Sequence, residues 1–522
     1  MLEQGWVTEA SKASNVSPRE SSWLVAGCLI GAFLLQAFFA LPKLSATADE
    51  ALHLASGYSY WQTRDFRMEP ETPPTAKLLA AIPLLVIHPK FDTSWPVWKS
   101  GQSAQSLFGF VFLYENDADR LLFWGRIPMI LLAAVGAAVV FLWARDLFGI
   151  PAGLFAAGLY SFSPNMLAHG MLVTSDVPVA TFTVLTLYLF WKGFNKASTL
   201  SDFATGLALG AAMTTKFSAG LLPIILIVFS FMRFRRAALK KLTLMALGSL
   251  VVIEAAYLFS ASPLLYFRSL AAVNAYLIKD YPIYLFGQFK PGGFWYYFLA
   301  AVVVKASVPT LILIVLAVFR SIAKPIDPWG ETLLLVSIGV FFIATSEVAG
   351  QIGIRYLLPV FPMIFVWGSR IVPDFLLLRA GRVVLIALFA WSVFSCLHAF
   401  PNYIPYFNEL AGGSDRGTEF LDDSNVDWGQ GVKQAADYVR NHHLDRVTMY
   451  SFSPLDNPQY YGLPRNLTAT EAHAQLLGKR PHQGVYIISA HKVIRMRQVD
   501  PSWKDYKPID RIGQSLWVYQ FD

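Results

Sequence analysis

The sequence predicts an α-helical polytopic membrane protein of about eleven spans, with amphipathic helices in its first long loop and a small C-terminal α/β domain. Three observations carry this. The 522 residues are 55% hydrophobic and only 15% charged, with mean hydropathy +0.45, whereas a soluble chain of this length carries more charge. The apolar residues gather in runs that can cross a hydrocarbon core of roughly 30 Å, which takes about 20 helical residues. After residue 400 the composition turns polar and mixed.

The first run is 23–41. The segment before it holds Glu3, Glu9 and Glu20, without a basic n-region, and no small-residue cleavage site follows. It reads as a retained anchor behind a cytoplasmic segment 1–22. Further runs fall at 121–143, 151–168, 178–194, 203–213, 219–232, 242–260, 294–319, 331–345, 356–367 and 383–399. Each is expected to be helical, because lipid offers backbone polar groups no partner. The membrane domain is thus 23–400 and the tail 401–522.

Alternate connections carry Arg145; Lys192 and Lys196; Arg233, Arg235, Arg236, Lys240 and Lys241; Arg320 and Lys324; and Arg370, Arg379 and Arg382. The positive-inside rule makes these cytoplasmic. Residues 44–120, 261–293 and everything after 400 then lie outside. The net charge of +7 reflects this topology, and no nucleic-acid partner is inferred from it. Cys28 and Cys396 both fall inside predicted spans and read as packing residues.

Loop 44–120 is too long for a simple connector. Stretch 49–62 has apolar residues at helical spacing, and its Tyr58 and Tyr60-Trp61 point to an interfacial face. Pro73-Pro74 breaks the chain, and 77–87 forms a second helical piece ended by Pro89. Asp49-Glu50 fits two roles. It is an acidic pair suited to a helix N-terminus, with Thr47 or Asp49 as cap. It also supplies a carboxylate near an apolar surface, able to accept a hydroxyl proton. Lys77 is either a snorkelling interfacial lysine or a ligand.

Other polar groups fall on the same side. Asp176, in SPNMLAHGMLVTSDVPVA, precedes Pro178 as an N-terminal cap would, or sets a second carboxylate beside Asp49. His169 reads as a ring at the interface or a partner of Asp176. Lys216, in AAMTTKFSAG, stands on a short outer connection against the charge rule. Arg355, in GQIGIRYLLPVFP, is another outer cation, with Tyr356 beside it. Lys305 lies within a span, where a lysine is a functional candidate or a structural partner of Glu254 or Glu347. Cations in this position can hold a lipid phosphate and stabilise it as a leaving group.

In the order and topology of these segments the chain resembles the lipid-carrier-dependent glycosyltransferases of the GT-C fold, the protein O-mannosyltransferase and aminoarabinose transferase group, bacterial type. The matching pieces are ADEALHLASGYSYW, PPTAKLLAAIPLL, SPNMLAHGMLVTSDVP, TTKFSAG, GGFWYYFLAAVVVKASVP and IRYLLPVFP, across roughly residues 20–400. The resemblance implies that Asp49 is the catalytic base, Glu50 its neighbour and Asp176 a second acidic residue of the same cavity. It implies that Lys77, Lys216 and Arg355 contact the donor phosphate. Thr72 departs from the pattern, since relatives commonly have His before the two prolines. A requirement for divalent metal therefore stays open, and no other cofactor is implied.

In the tail, RVTMYSF, GVYIISA and SLWVYQF read as strands and 428–441 as a helix. Asp423, Asn425 and Asp427 have calcium-loop spacing, but the sixth position lacks glycine and Gln434 stands where the last ligand belongs. Capping of the helix by Asp427 is the better expectation.

The expected activity is inverting transfer of a sugar from a polyprenyl-phosphate carrier to an acceptor hydroxyl on protein, glycan or lipid, at the outer face of a bacterial plasma membrane. The alternative is a flippase for a lipid-linked sugar. Flippases usually keep ionisable groups near the midplane and carry inverted repeats; here the charges gather at one surface.

Overall fold

The computed structural model describes residues 18–194, 198–259, 264–276, 281–323, 325–348, 350–478 and 480–522. Glu3, Glu9, Lys196 and Lys324 lie outside the described residues.

A helix forms at every predicted run, but not every run is a continuous span. Among the described residues six helical stretches are long and apolar enough to cross a membrane: Ser21–Lys43, Ala118–Phe148, Phe217–Ala256, Pro328–Glu347, Val360–Leu377 and Arg379–Ala399. The third holds the helices of predicted runs 219–232 and 242–260, Leu221–Phe234 and Ala238–Ala256, separated by a tight turn at Arg235. Runs 178–194 and 203–213 are the shorter helices Asp176–Lys192 and Thr199–Met213. Run 151–168 breaks into Ile150–Ser161 and Pro164–Gly170, because Ser163 caps a new start before Pro164.

The run expected at 294–319 is also not one span. Helix Tyr297–Lys305 meets the next helical segment at 116°. Ala306 is extended, and Pro309 follows in the first turn of Val308–Ala323. The carbonyls freed at the bend are satisfied from the tail. Asn408 donates its side-chain amide to Val303 and Ala306, and its backbone N–H to Val304.

Glycines let two helices of the membrane domain touch backbone to backbone. A Cβ on Gly206 would lie 2.2 Å from the Met245 carbonyl oxygen, and one on Gly248 would lie 2.5 Å from that of Phe203. Helices Thr199–Met213 and Ala238–Ala256 pack along this seam, and Ser249 closes it by donating to the Gly206 carbonyl at 2.9 Å.

The first long loop folds on itself. Helices Glu50–Thr63, Thr75–Ala81 and Gln105–Tyr114 share a core that includes Leu54, Tyr58, Tyr60, Phe66, Phe108 and Phe112. Tyr58 and Tyr60 are therefore buried, not interfacial as their spacing suggested; loop closure gives their rings a protein core to fill.

A short hairpin, β1 (Pro282–Leu285) and β2 (Gln288–Pro291), stands before the bent helix pair. It docks on the tail through Phe286 N–H to the Phe420 carbonyl at 3.0 Å and the Tyr284 hydroxyl to the Thr418 carbonyl at 2.8 Å. The tail carries β3 (Thr448–Tyr450), β4 (Gly484–Ser489), β5 (Asp510–Ile512) and β6 (Leu516–Phe521). They form one sheet in the order β3-β4-β6-β5, with only β3 and β4 parallel. Alternation sorts the side chains. Met449, Ile487 and Val518 face helix Val432–Asn441, while Tyr486, Ile488, Trp517 and Tyr519 join the core continuous with the membrane domain. β3, β4 and β6 are the strands expected from sequence; β5, helix Ala469–Leu476 and helix Ala490–Val499 are additional.

Gly206→Leu is expected to destabilise the protein by about 1–3 kcal/mol through overpacking. Gly220→Ala, at a position with nothing within 4 Å of the new methyl, is the control. Thermal unfolding in detergent compares the two.

Candidate active site

The residues singled out in the sequence separate into a cluster open to ligand, a closed ion pair and a second buried network. In the first, Arg355 donates from Nη1 to Asp49 Oδ2 at 2.8 Å and lies 3.8 Å from Asp176 Oδ2. Lys216 Nζ donates to Asp176 Oδ1 at 2.5 Å. Tyr356 presents its ring to both cations, 4.6 Å from Lys216 Nζ and 5.0 Å from the Arg355 guanidinium. Asp49, Asp176, Lys216, Arg355 and Tyr356 thus converge from four distant segments.

The elements explain the placement. Asp49 precedes helix Glu50–Thr63, yet its side chain makes no capping bond and is spent on Arg355 instead. Asp176 is the first residue of its helix, after an N-cap Ser175 that also makes no side-chain cap. Lys216 sits in extended backbone between helix Thr199–Met213 and the next turn. The Asp49 side chain is 37% exposed and that of Asp176 only 2%, so Asp49 is the carboxylate that an incoming group meets. Three buried polar atoms here have no hydrogen-bond partner: Arg355 Nε, Asp176 Oδ2 and His169 Nδ1.

Glu50 is not part of this open cluster. Its carboxylate is fully buried and takes both Nε and Nη2 of Arg126, at 2.8 and 2.6 Å. It also accepts from the Val173 and Thr47 backbone N–H groups and from the Thr47 hydroxyl. With its lone pairs occupied it has no capacity left for a substrate proton, which corrects its expected place among the catalytic groups. Burial disfavours its charge, but Arg126 and these donors hold its pKa below the usual carboxylate value. Arg126 spends further donors on the carbonyls of Ser45 at 2.8 Å and Leu44 at 3.3 Å.

Lys77 also departs from expectation. It is buried and donates to the Tyr60 hydroxyl, the Glu69 carbonyl and the Thr72 carbonyl at 3.0, 3.0 and 2.7 Å. Glu69 Oε2 lies 3.4 Å away. Its three donors are filled by the loop it belongs to. On the other side of Glu69, His53 Nε2 meets Oε1 at 2.8 Å, while Nδ1 bonds the Val173 carbonyl at 2.7 Å. Burial works against a charge on His53, yet the Glu69 carboxylate pushes its pKa up to about 9.

Lys305 donates to the carbonyls of Ile404 and Asn425 at 2.7 and 2.9 Å, not to Glu254 or Glu347. It fastens the tail to the helix bend. His169 is buried, not interfacial. Asp427 does not cap helix Val432–Asn441, which has Gly431 at its N-cap. It accepts from Gly429 N–H at 3.0 Å and the Ser489 hydroxyl at 2.5 Å. No three or more His, Cys, Asp or Glu side chains group to hold a metal ion among the described residues.

Sequence reasoning missed Arg126 and Trp428. Arg126 carried a readable signal, a charged residue inside a predicted span. Trp428 carried none, since only folding brings its ring 4.0 Å from the Arg355 guanidinium.

Fold and site define a class, the polytopic membrane proteins of GT-C fold. A family model described as dolichyl-phosphate-mannose-protein mannosyltransferase matches residues 119–267. The chain is similar in structure to ArnT from Cupriavidus metallidurans bound to undecaprenyl phosphate, with 14% identity, TM-score 0.51 and coverage of 96% of this chain and 98% of that one. The apo state of the same ArnT gives 14% identity, TM-score 0.50 and the same coverage. The archaeal oligosaccharyltransferase AglB from Archaeoglobus fulgidus is 15% identical over 82% of this chain and 59% of that one, with TM-score 0.49. No curated protein matches the sequence.

Glu50→Ala is expected to destabilise the fold by about 3–5 kcal/mol, because it strands the buried Arg126 charge; yield and thermal unfolding measure this. The raised pKa of His53 means that the native state holds a proton the unfolded chain has lost between about pH 6.5 and about pH 9. The stability supplied by His53 and Glu69 is complete below this window and lost as pH rises through it. Melting midpoints across the window should fall in wild type by more than in His53→Gln.

Proposed function

We propose that this protein is an inverting glycosyltransferase that takes a sugar from a polyprenyl-phosphate donor and passes it to an acceptor hydroxyl. The observation that carries the proposal is Arg355 held between Asp49 and Asp176, with Lys216 on the far side of Asp176. Lys216 and Arg355 supply the cationic seat for the donor phosphate, one as a point charge and the other with directed donors. Lys77 reaches that phosphate only by giving up one of its loop contacts.

The chemistry is a single in-line displacement. The acceptor oxygen bonds to the anomeric carbon as the bond from that carbon to the phosphate oxygen breaks. The acceptor proton goes to Asp49, and the leaving polyprenyl phosphate keeps the electron pair beside Arg355 and Lys216. Arg355 times the step. A phosphate that draws its guanidinium away from Asp49 frees that carboxylate to accept a proton. Asp176, bonded to Lys216, positions the lysine.

The helix ends support the proposed orientation. Helix Asp176–Lys192 starts at the site and ends at Lys192, which pairs with Asp146 at 3.4 Å, beside Arg145 near the end of Ala118–Phe148. The site and the basic connections therefore lie at opposite ends of the same helices. The positive-inside rule supports the reading that the site is on the extracytoplasmic face, and the membrane proposed is a bacterial plasma membrane. The tail, docked at the site end, lies outside with it.

Transfer from a labelled polyprenyl-phosphate sugar by the purified protein tests the proposal. Asp49→Asn should lower turnover by about 10²–10⁴-fold while leaving undecaprenyl phosphate binding in place. Unchanged turnover in this variant would remove the base. Movement of labelled lipid between leaflets without any glycosylated product would point to a flippase.

A further inference from the structure

We infer that Trp428, carried by the tail, is a positioning residue of the phosphate seat, so that the C-terminal domain is a working part of the site. The inference rests on the proposed role of Arg355. Trp428 is buried, and its indole face lies 4.0 Å from the Arg355 guanidinium. The His169 ring lies 6.1 Å from the indole between ring centroids. The only side-chain hydrogen bond of Arg355 among the described residues is to Asp49, and its buried Nε is unpartnered. Hydrogen bonds alone therefore leave the guanidinium plane underdetermined, and the indole, nearer at 4.0 Å than the Tyr356 ring at 5.0 Å, constrains it.

Trp428 is itself held on both sides. Its carbonyl accepts from Ala48 N–H at 2.9 Å, next to Asp49 in the chain. Its N–H donates to Gln430 Oε1 at 2.8 Å. Ser45 then clamps the following residues, donating from its backbone to the Gln430 carbonyl at 3.1 Å and from its hydroxyl to the Gly429 carbonyl at 2.8 Å. Arg355 is approached from the same segment by a second route. Asn425 Oδ1 accepts from Ile354 N–H at 3.0 Å, and the Ser424 hydroxyl donates to the Ile352 carbonyl at 2.6 Å. One stretch of the tail thus fixes the backbone before Asp49, the backbone before Arg355 and the plane of the Arg355 side chain.

Undecaprenyl phosphate binding to the full-length protein in detergent tests this, with thermal unfolding of each variant in parallel. Trp428→Leu keeps much of the volume and removes the aromatic face; it should weaken binding roughly tenfold. Trp428→Phe should restore binding to within about threefold. In an Arg355→Ala background Trp428→Leu should have no further effect, because the two act through one contact. A full loss in that background, or wild-type binding by a folded Trp428→Leu protein, would overturn the inference. Trp428→Met serves the same test should the leucine variant not fold. The two proposals fail separately. If Arg355→Ala itself binds undecaprenyl phosphate like wild type, the phosphate seat is wrong; if it binds weakly and Trp428→Leu does not, only the role of Trp428 falls.

Discussion

The buried pair of Glu50 and Arg126 is the constraint on which the site depends. Arg126 projects from the long helix Ala118–Phe148 and gathers Glu50 and the carbonyls of Leu44 and Ser45. Glu50 in turn takes the Val173 N–H at 2.9 Å. Two strands of chain that carry the acidic groups are thereby tied to one point, Asp49 a single residue from Glu50 and Asp176 three beyond Val173. A charge pair this deeply buried is tolerated because nearly every lone pair and N–H finds a partner. The pair contributes geometry more than net stability, and that geometry leaves Asp49 free to point the other way.

Around this anchor the charges sort by what completes them. Glu50, Lys77 and Lys305 are closed by protein groups. Arg355, Asp176 and His169 each retain a buried atom without a partner. A buried polar atom without a partner is costly, and these three belong to the same cluster of side chains as the half-exposed Asp49. The salt link between Asp49 and Arg355 then has a natural place in the proposed reaction, since an anion competing for the arginine also releases the carboxylate.

The tail is structurally inseparable from the membrane helices. Asn408 satisfies the carbonyls exposed by the 116° bend, Lys305 binds tail carbonyls across it, and the sheet buries Tyr486, Ile488, Trp517 and Tyr519 into the shared core. A helix bend at membrane depth needs such replacement partners. The same docking that repairs the bend brings Trp428 to Arg355.

The sequence by itself determined the helical membrane class, the positions of the helical runs, three tail strands and the polar residues Asp49, Asp176, Lys216, Arg355 and Tyr356. Those follow from hydropathy, alternation and the rarity of charge at span ends, all of which are local or periodic signals. Composition and spacing did not show that Glu50 is closed by Arg126 or that Lys77 is closed by its own loop, because residues of like charge differ in the partners that folding gives them. Nor did they reveal the bend after Lys305 or the stacking of Trp428. Tertiary structure decided these: Lys77 is filled by the closure of its own loop, while Glu50, Lys305 and Trp428 depend on contacts with segments far off in the chain, where a carboxylate becomes structural or reactive according to how many of its lone pairs the fold has already filled.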